Sequence, residues 1–150
     1  MTRAAGIKTR LARAADTEKV DRLLAAYREE MGAPPRAPVE LDLGGEGPLF
    51  LVVAEHPSDS ELAGMLAAHR CHNFMHAADF LLLTDIYVPA AQRRAGVAGA
   101  LMQEVEVLAR ELECTSMSII VAHINDAALT TAARSGFLRH DELLISRQVG

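Results

Sequence analysis

The chain has 150 residues, half of them apolar and 23% charged, with a formal net charge of −5 and two cysteines. That length suits one compact domain spanning 1–150 whose core needs no disulfide or metal staple, and the composition excludes a disordered tail or a fibre. The acidic balance argues against non-specific attraction to nucleic-acid phosphates and suits a cationic substrate better.

Cys71 and Cys114 form no close CxxC pair, so a reducing compartment is the simpler expectation. The start, MTRAAGIKTR, has no apolar core of secretory length, and no apolar run reaches the roughly 18 residues that span a bilayer. A cytoplasmic protein without membrane contact is expected.

In chain order, Ile7 to Arg13 alternates loosely as an edge strand. Asp16 is placed to cap a helix on which Val20, Leu23, Leu24, Tyr27 and Met31 follow helical spacing until Gly32 and Pro34 end it. Residues 33–48, rich in proline and glycine among scattered acids, read as a long irregular segment near a functional edge. Leu49 to Ala54 and a second apolar run from Leu62, joined by a turn at 57–60, read as a hairpin.

Phe80 to Val88 is the clearest strand, closed by Pro89. From Gly96 to Leu112, the residues Val97, Leu101, Val105, Leu108 and Leu112 make one apolar helical face, with Gln103, Glu104, Glu106, Arg110 and Glu111 opposite. Ser116 to Ala122 reads as a buried strand, Asp126 to Ser135 as a helix stopped by Gly136, and Leu143 to Val149 as a closing strand. Strands alternating with helices in the second half predict a mixed α/β sheet covered on its faces.

The segment that carries chemistry is TDIYVPAAQRRAGVAGALM, residues 84–102. A strand passes through a basic, glycine-containing turn into a helix start, where unpaired N–H groups and the helix dipole favour an anion. Gly96 and Gly99, with Ala95 and Ala98, keep side-chain bulk away, and Arg93 and Arg94 add full charge, an arrangement that suits a pyrophosphate. A P-loop is excluded because no Lys-Ser or Lys-Thr follows. A Rossmann fingerprint lacks its first glycine and a clear acidic partner for ribose.

RRAGVA at 93–98 resembles the Arg/Gln-x-x-Gly-x-Gly/Ala motif of the GNAT superfamily of acyl-CoA N-acyltransferases. DIYV at 85–88 resembles the strand before that motif, and Asn125, Ala128, Gly136 and Phe137 sit at the spacing of the family's later Asn-x-x-Ala and Gly-Phe pattern. ARAAD at 12–16 and FLVVAEH at 50–56 resemble its first and second strands, so the likeness covers nearly the whole chain and is most like the diamine-acetyltransferase-like branch.

The resemblance implies a central, splayed, mostly antiparallel sheet flanked by helices, with acetyl-CoA as cosubstrate and no metal. Ile86, Tyr87 and Val88 would pair with the pantetheine arm, and Asn125 would contact it. The N–H groups from Arg94 to Gly99, through Ala95, Gly96, Val97 and Ala98, would hold the pyrophosphate, with Arg93 and Arg94 as favoured phosphate contacts. An N–H near Val88 would polarise the thioester carbonyl. The family's usual tyrosine, seven residues after the asparagine, is here Ala132, so the usual general acid for the thiolate is missing.

Asp85 is the candidate catalytic residue, accepting the amine's proton or holding its ammonium; an ordinary strand-end carboxylate is the alternative. Strand alternation puts Tyr87 opposite Ile86 and Val88, in a core or face-covering role. His123 reads as a polar loop residue. His69, Cys71, His72 and His76 are soft metal ligands in type, but their spacing matches no zinc pattern, and they read as a solvated hairpin.

The expected activity is N-acetyl transfer to a primary amine by direct attack. The acceptor would be a small amine such as a polyamine, amino acid or aminoglycoside, or a protein amine, with Glu40, Asp42 and Glu46 favouring a cation. The alternatives are a non-catalytic acyl-CoA-binding regulatory module, motivated by Ala132, and a metal or redox domain on the Cys71–His76 cluster. Relatives pair through sheet edges or last strands, which makes a homodimer an expectation.

Overall fold

The computed structural model describes residues 6–35, 43, 47–58, 60–121, 126–140 and 145–150. Among them run five strands, β1 (Thr9–Leu11), β2 (Leu49–Glu55), β3 (Leu62–Asn73), β4 (Ala78–Tyr87) and β5 (Ser116–Ile119). The α-helices are α1 (Thr17–Glu30), α2 (Val97–Glu111) and α3 (Asp126–Arg134). The strands lie side by side in sequence order, antiparallel except for β4 and β5, which run parallel and are joined through α2. This is the expected mixed sheet flanked by helices.

β2 reads as an unbroken apolar run because both of its faces are covered. Phe50, Val52 and Ala54 pack with Leu66, Leu83 and the α2 residues Val97, Leu101 and Val105. Leu51 and Val53 pack on the other face with Val20 and Leu23 of α1, Met65 and Tyr87. The sheet is thus sandwiched between α2 and α1, and the burial of each apolar side chain contributes about 1.5–3 kcal/mol. Gly64 sets how closely α2 approaches. A Cβ there would lie 2.9 Å from Val97 Cγ1 and 3.1 Å from the Tyr87 carbonyl oxygen.

Two bulges re-aim side chains. Opposite β2, Ala54 pairs with Gly64 and Glu55 with Leu62, so Ala63 is extra; opposite β3, Asp85 pairs with Ala67 and Leu83 with Ala68, so Thr84 is extra. A bulge breaks strict alternation, letting neighbouring residues share a face.

Three expectations are corrected. Asp16 does not cap α1 with its side chain. It ends a 3-10 turn over Ala14–Asp16, is buried, and accepts from the Arg13 N–H at 2.7 Å and from Arg10 at 2.6 and 3.0 Å. Arg10 also reaches Glu55 at 2.7 Å, so the charge of β1 claims the carboxylate before the helix can. The closing strand is not found from residue 145 on: residues 145–150 carry no strand, and Ile145 and Val149 are 86% and 92% exposed, while positions 143 and 144 lie outside the described residues. Arg147 falls between Ile145 and Val149 on the one face that alternation would bury. Met31, placed on the buried face of α1 by spacing, lies past its end and is exposed. Glu40, Asp42, Glu46, His123 and Asn125 lie outside the described residues.

Candidate active site

β4 and β5 pair only from Phe80 with Ser116 to Leu83 with Ile119, followed by the Ile120 N–H donating to the Leu83 carbonyl. Beyond that point β4 continues to Tyr87 with β3 alone, so among the described residues the edge of Asp85, Ile86, Tyr87 and Val88 that faces β5 has no strand partner. An open edge presents N–H and C=O groups that a peptide-like chain could pair with.

That edge runs directly into the α2 start. After a 3-10 turn at Ala90–Gln92, Arg94 takes φ +64° and Gly96 φ +83°, both left-handed, before the helix begins at Val97. Gly96 does this at no steric expense; Arg94 does not. Among the described residues no carbonyl accepts from the N–H groups of Arg94, Ala95, Gly96, Val97, Ala98 or Gly99, and Arg93 to Gly96 are exposed. Left-handed turns that gather free N–H groups at a helix N-terminus form a concavity for an anion. A Cβ on Gly99 would meet nothing within 4 Å, which leaves room above the helix start.

The two arginines differ. Arg94 is exposed, whereas Arg93 is already engaged: its Nε–H donates to the Val88 carbonyl at 2.8 Å and its Nη2 to Glu30 Oε1 of α1. Glu30 also accepts from the Tyr87 hydroxyl at 3.0 Å, and the Arg93 guanidinium, then that hydroxyl, hold its carboxyl below the usual glutamate range.

On the α1 face of the sheet, Tyr27 donates to Asp85 Oδ1 at 3.1 Å and packs against Tyr87 with ring centroids 4.9 Å apart. Burial first, then the charge of Asp85, pushes the Tyr27 phenol up to about 12. Tyr87 is buried beside Val20 and Leu23 while Ile86 and Val88 pack toward α2, as strand alternation requires. Asp85 itself is exposed. One further pair lies close by, His69 Nε2 against Thr84 Oγ1 at 3.1 Å.

The soft ligands of the β3–β4 hairpin do not converge. His69 pairs with Thr84, His72 Nδ1 with Asp79 at 2.7 Å, and among the described residues no three His, Cys, Asp or Glu side chains are placed to hold a metal. Ala132 is buried on α3, so that position offers no hydroxyl. Tyr27, Glu30, Thr84 and His69 escaped the sequence reading of the site. Helical spacing puts Tyr27 on the α1 inner face, and His69 reads only as a soft ligand in type.

The acetyltransferase (GNAT) family profile matches residues 17–137. The chain belongs to the GNAT acetyltransferase family. No curated protein matches this acetyltransferase. Among solved structures it is similar to a ribosomal-protein-alanine N-acetyltransferase from Brucella melitensis biovar Abortus 2308, at 16% identity and TM-score 0.79 over 95% of this chain and 100% of that one. A probable acetyltransferase shares 22% identity at TM-score 0.78 over 94% and 99%. An aminoglycoside acetyltransferase from an uncultured soil metagenomic sample, in complex with sisomicin, shares 13% at TM-score 0.78 over 95% of each chain. At these identities the likeness is one of fold. Among the described residues, no helix of the acetyltransferase is long and apolar enough to cross a membrane.

Proposed function

We propose that this GNAT acetyltransferase binds acetyl-CoA along the open β4 edge and transfers the acetyl group to a primary amine by direct attack. The observation that carries this reading is the continuity of the Ile86–Val88 edge, which has no strand partner among the described residues on the β5 side, with the N–H groups of Arg94 to Gly99, which reach no carbonyl among them. The pantetheine arm would pair with that edge, the pyrophosphate would sit on the N–H cradle with Arg94 beside it, and Asn125 would contact the arm. Asp85, exposed and held through one oxygen by Tyr27, is the group that receives the amine on the α1 face. An exposed carboxylate flanked by tyrosine rings favours a cationic acceptor, in the class of diamines and other small amines or a protein amine. With alanine at 132, water supplies the proton to the departing thiolate, in a single-domain cytoplasmic enzyme.

Calorimetric titration with acetyl-CoA tests the reading against Gly99→Trp. Gly99 has open space and no left-handed φ, so the indole fits the fold and fills the cradle instead. Binding by the wild type and its loss in Gly99→Trp is the expected result; no binding by the wild type overturns the reading. The buried Ala132 favours one second reading, a non-catalytic acyl-CoA-binding regulatory module, which binding without turnover across a panel of amines would establish.

A further inference from the structure

The bulge at Thr84 has placed two polar residues on one face of β4. Leu83 and Ile86 pack toward α2, whereas Asp85 meets Tyr27 of α1. Alternation from Leu83 turns Thr84 toward the α1 face, where its hydroxyl meets His69, and alternation back from Ile86 turns Asp85 to the same face. His69 follows Ala68, which packs with α2, so His69 lies on the α1 face of β3. Thr84 and Asp85 therefore share the α1 face, with an imidazole behind the threonine and a phenol behind the aspartate. Thr84 and His69 are both half-buried, close enough to solvent for an acceptor to reach the hydroxyl and shielded enough to hold their hydrogen bond.

Resting on the acetyltransferase reading above, we infer that Thr84 and His69 form a proton relay that deprotonates the acceptor amine beside Asp85. An alkylamine arrives as an ammonium and must lose a proton before its nitrogen can attack. Asp85 holds the cation. The ammonium gives one proton to Thr84 Oγ1, whose own hydroxyl proton passes to His69 Nε2. One N–H and one O–H bond break, one O–H and one N–H bond form, and the positive charge moves from acceptor to imidazole. The freed lone pair attacks the thioester carbonyl carbon, the C–S bond breaks, and water hands the amine's second proton to the thiolate, which leaves as coenzyme A. The imidazolium then releases its proton to water. Imidazole is the side chain suited to both uptake and release near neutral pH, and the hydroxyl, as both donor and acceptor, can pass a proton on.

The test compares two acceptors of similar length near neutral pH: hexylamine, which is protonated, and hexanoic hydrazide, whose terminal amine is already neutral. His69→Gln and Thr84→Val should slow transfer to hexylamine by about tenfold or more, and lower the hexylamine-to-hydrazide rate ratio at least about fivefold, with Thr84→Ser restoring it. His72→Gln, which alters a residue paired with Asp79, should keep the wild-type ratio. A purely structural role would slow both acceptors alike and overturn the relay. Independently of any acceptor, nitrogen NMR of the wild-type imidazole should show Nε2 unprotonated and accepting from Thr84; an Nε2–H donating to Thr84 leaves no lone pair and overturns the relay. Absence of acetyl-CoA binding strikes the underlying acetyltransferase reading, whereas the ratio and the tautomer strike the relay alone.

Discussion

The guanidinium of Arg93, in the turn that precedes α2, is ion-paired with Glu30 at the end of α1, 63 residues earlier in the chain. The same guanidinium donates to the Val88 carbonyl, so one side chain ties the end of β4 to the α1 side of the sheet. A positive charge expected on a phosphate is here paired, at the surface, with a carboxylate of the same chain.

Removing the Glu30 charge should release it. Glu30→Gln is expected to tighten acetyl-CoA binding only about two- to fivefold, because the pair is exposed and an exposed ion pair contributes little. The gain should shrink as salt is raised, since freed charge acting on phosphate is screened. Titration calorimetry at two ionic strengths reads this directly; weaker binding would show that Arg93 acts only by holding Val88.

Arg94 and Gly96 share left-handed backbone but not its ease. Arg94→Gly should raise stability by about 0.5–1 kcal/mol, the strain of a left-handed side chain less the extra freedom glycine gives the unfolded chain. It should also weaken acetyl-CoA binding by removing a charge at the cradle. Urea denaturation and calorimetry on one variant therefore move in opposite directions.

Two glycines predict opposite signs for the same substitution. Gly64→Ala should destabilise by about 1–3 kcal/mol, because the new methyl group meets Val97 and the Tyr87 carbonyl and pushes α2 off the sheet. Gly99→Ala should stabilise by up to about 1 kcal/mol, since it adds helix propensity to the first turn of α2 where nothing is within reach. Thermal melts of the pair check both.

Asp16 gives an acid-side signature. Its hydrogen bond from Arg10 outweighs burial and lowers its pKa below the ordinary 3.8. A carboxyl with a depressed folded pKa contributes stability that is present above the unfolded value and is lost as pH falls through the folded one. Stability should thus drop below about pH 4, and Asp16→Asn should flatten that part of the profile. At neutral pH the same variant should be about 2–3 kcal/mol less stable, because among the described residues Arg10 keeps only Glu55 as a charged partner. Urea midpoints across the acid range measure both effects.

The sequence alone revealed those features whose cause is local. The period of apolar residues placed α2, the two-sided apolar run placed β2, and the order of glycine, arginine and helix start marked the cradle, because N–H groups freed at a helix terminus belong to consecutive residues. Tertiary structure decided the rest. No local rule tells Arg93 that Glu30 lies beside it, or Asp16 that Arg10 will claim it, because each pairing depends on how α1 and β1 dock against the sheet. The shared face of Thr84 and Asp85 was hidden for a related reason. A one-residue bulge inverts the alternation that sequence reading relies on, and its position is set by the register between β3 and β4, a relation between two strands that neither strand's own sequence contains.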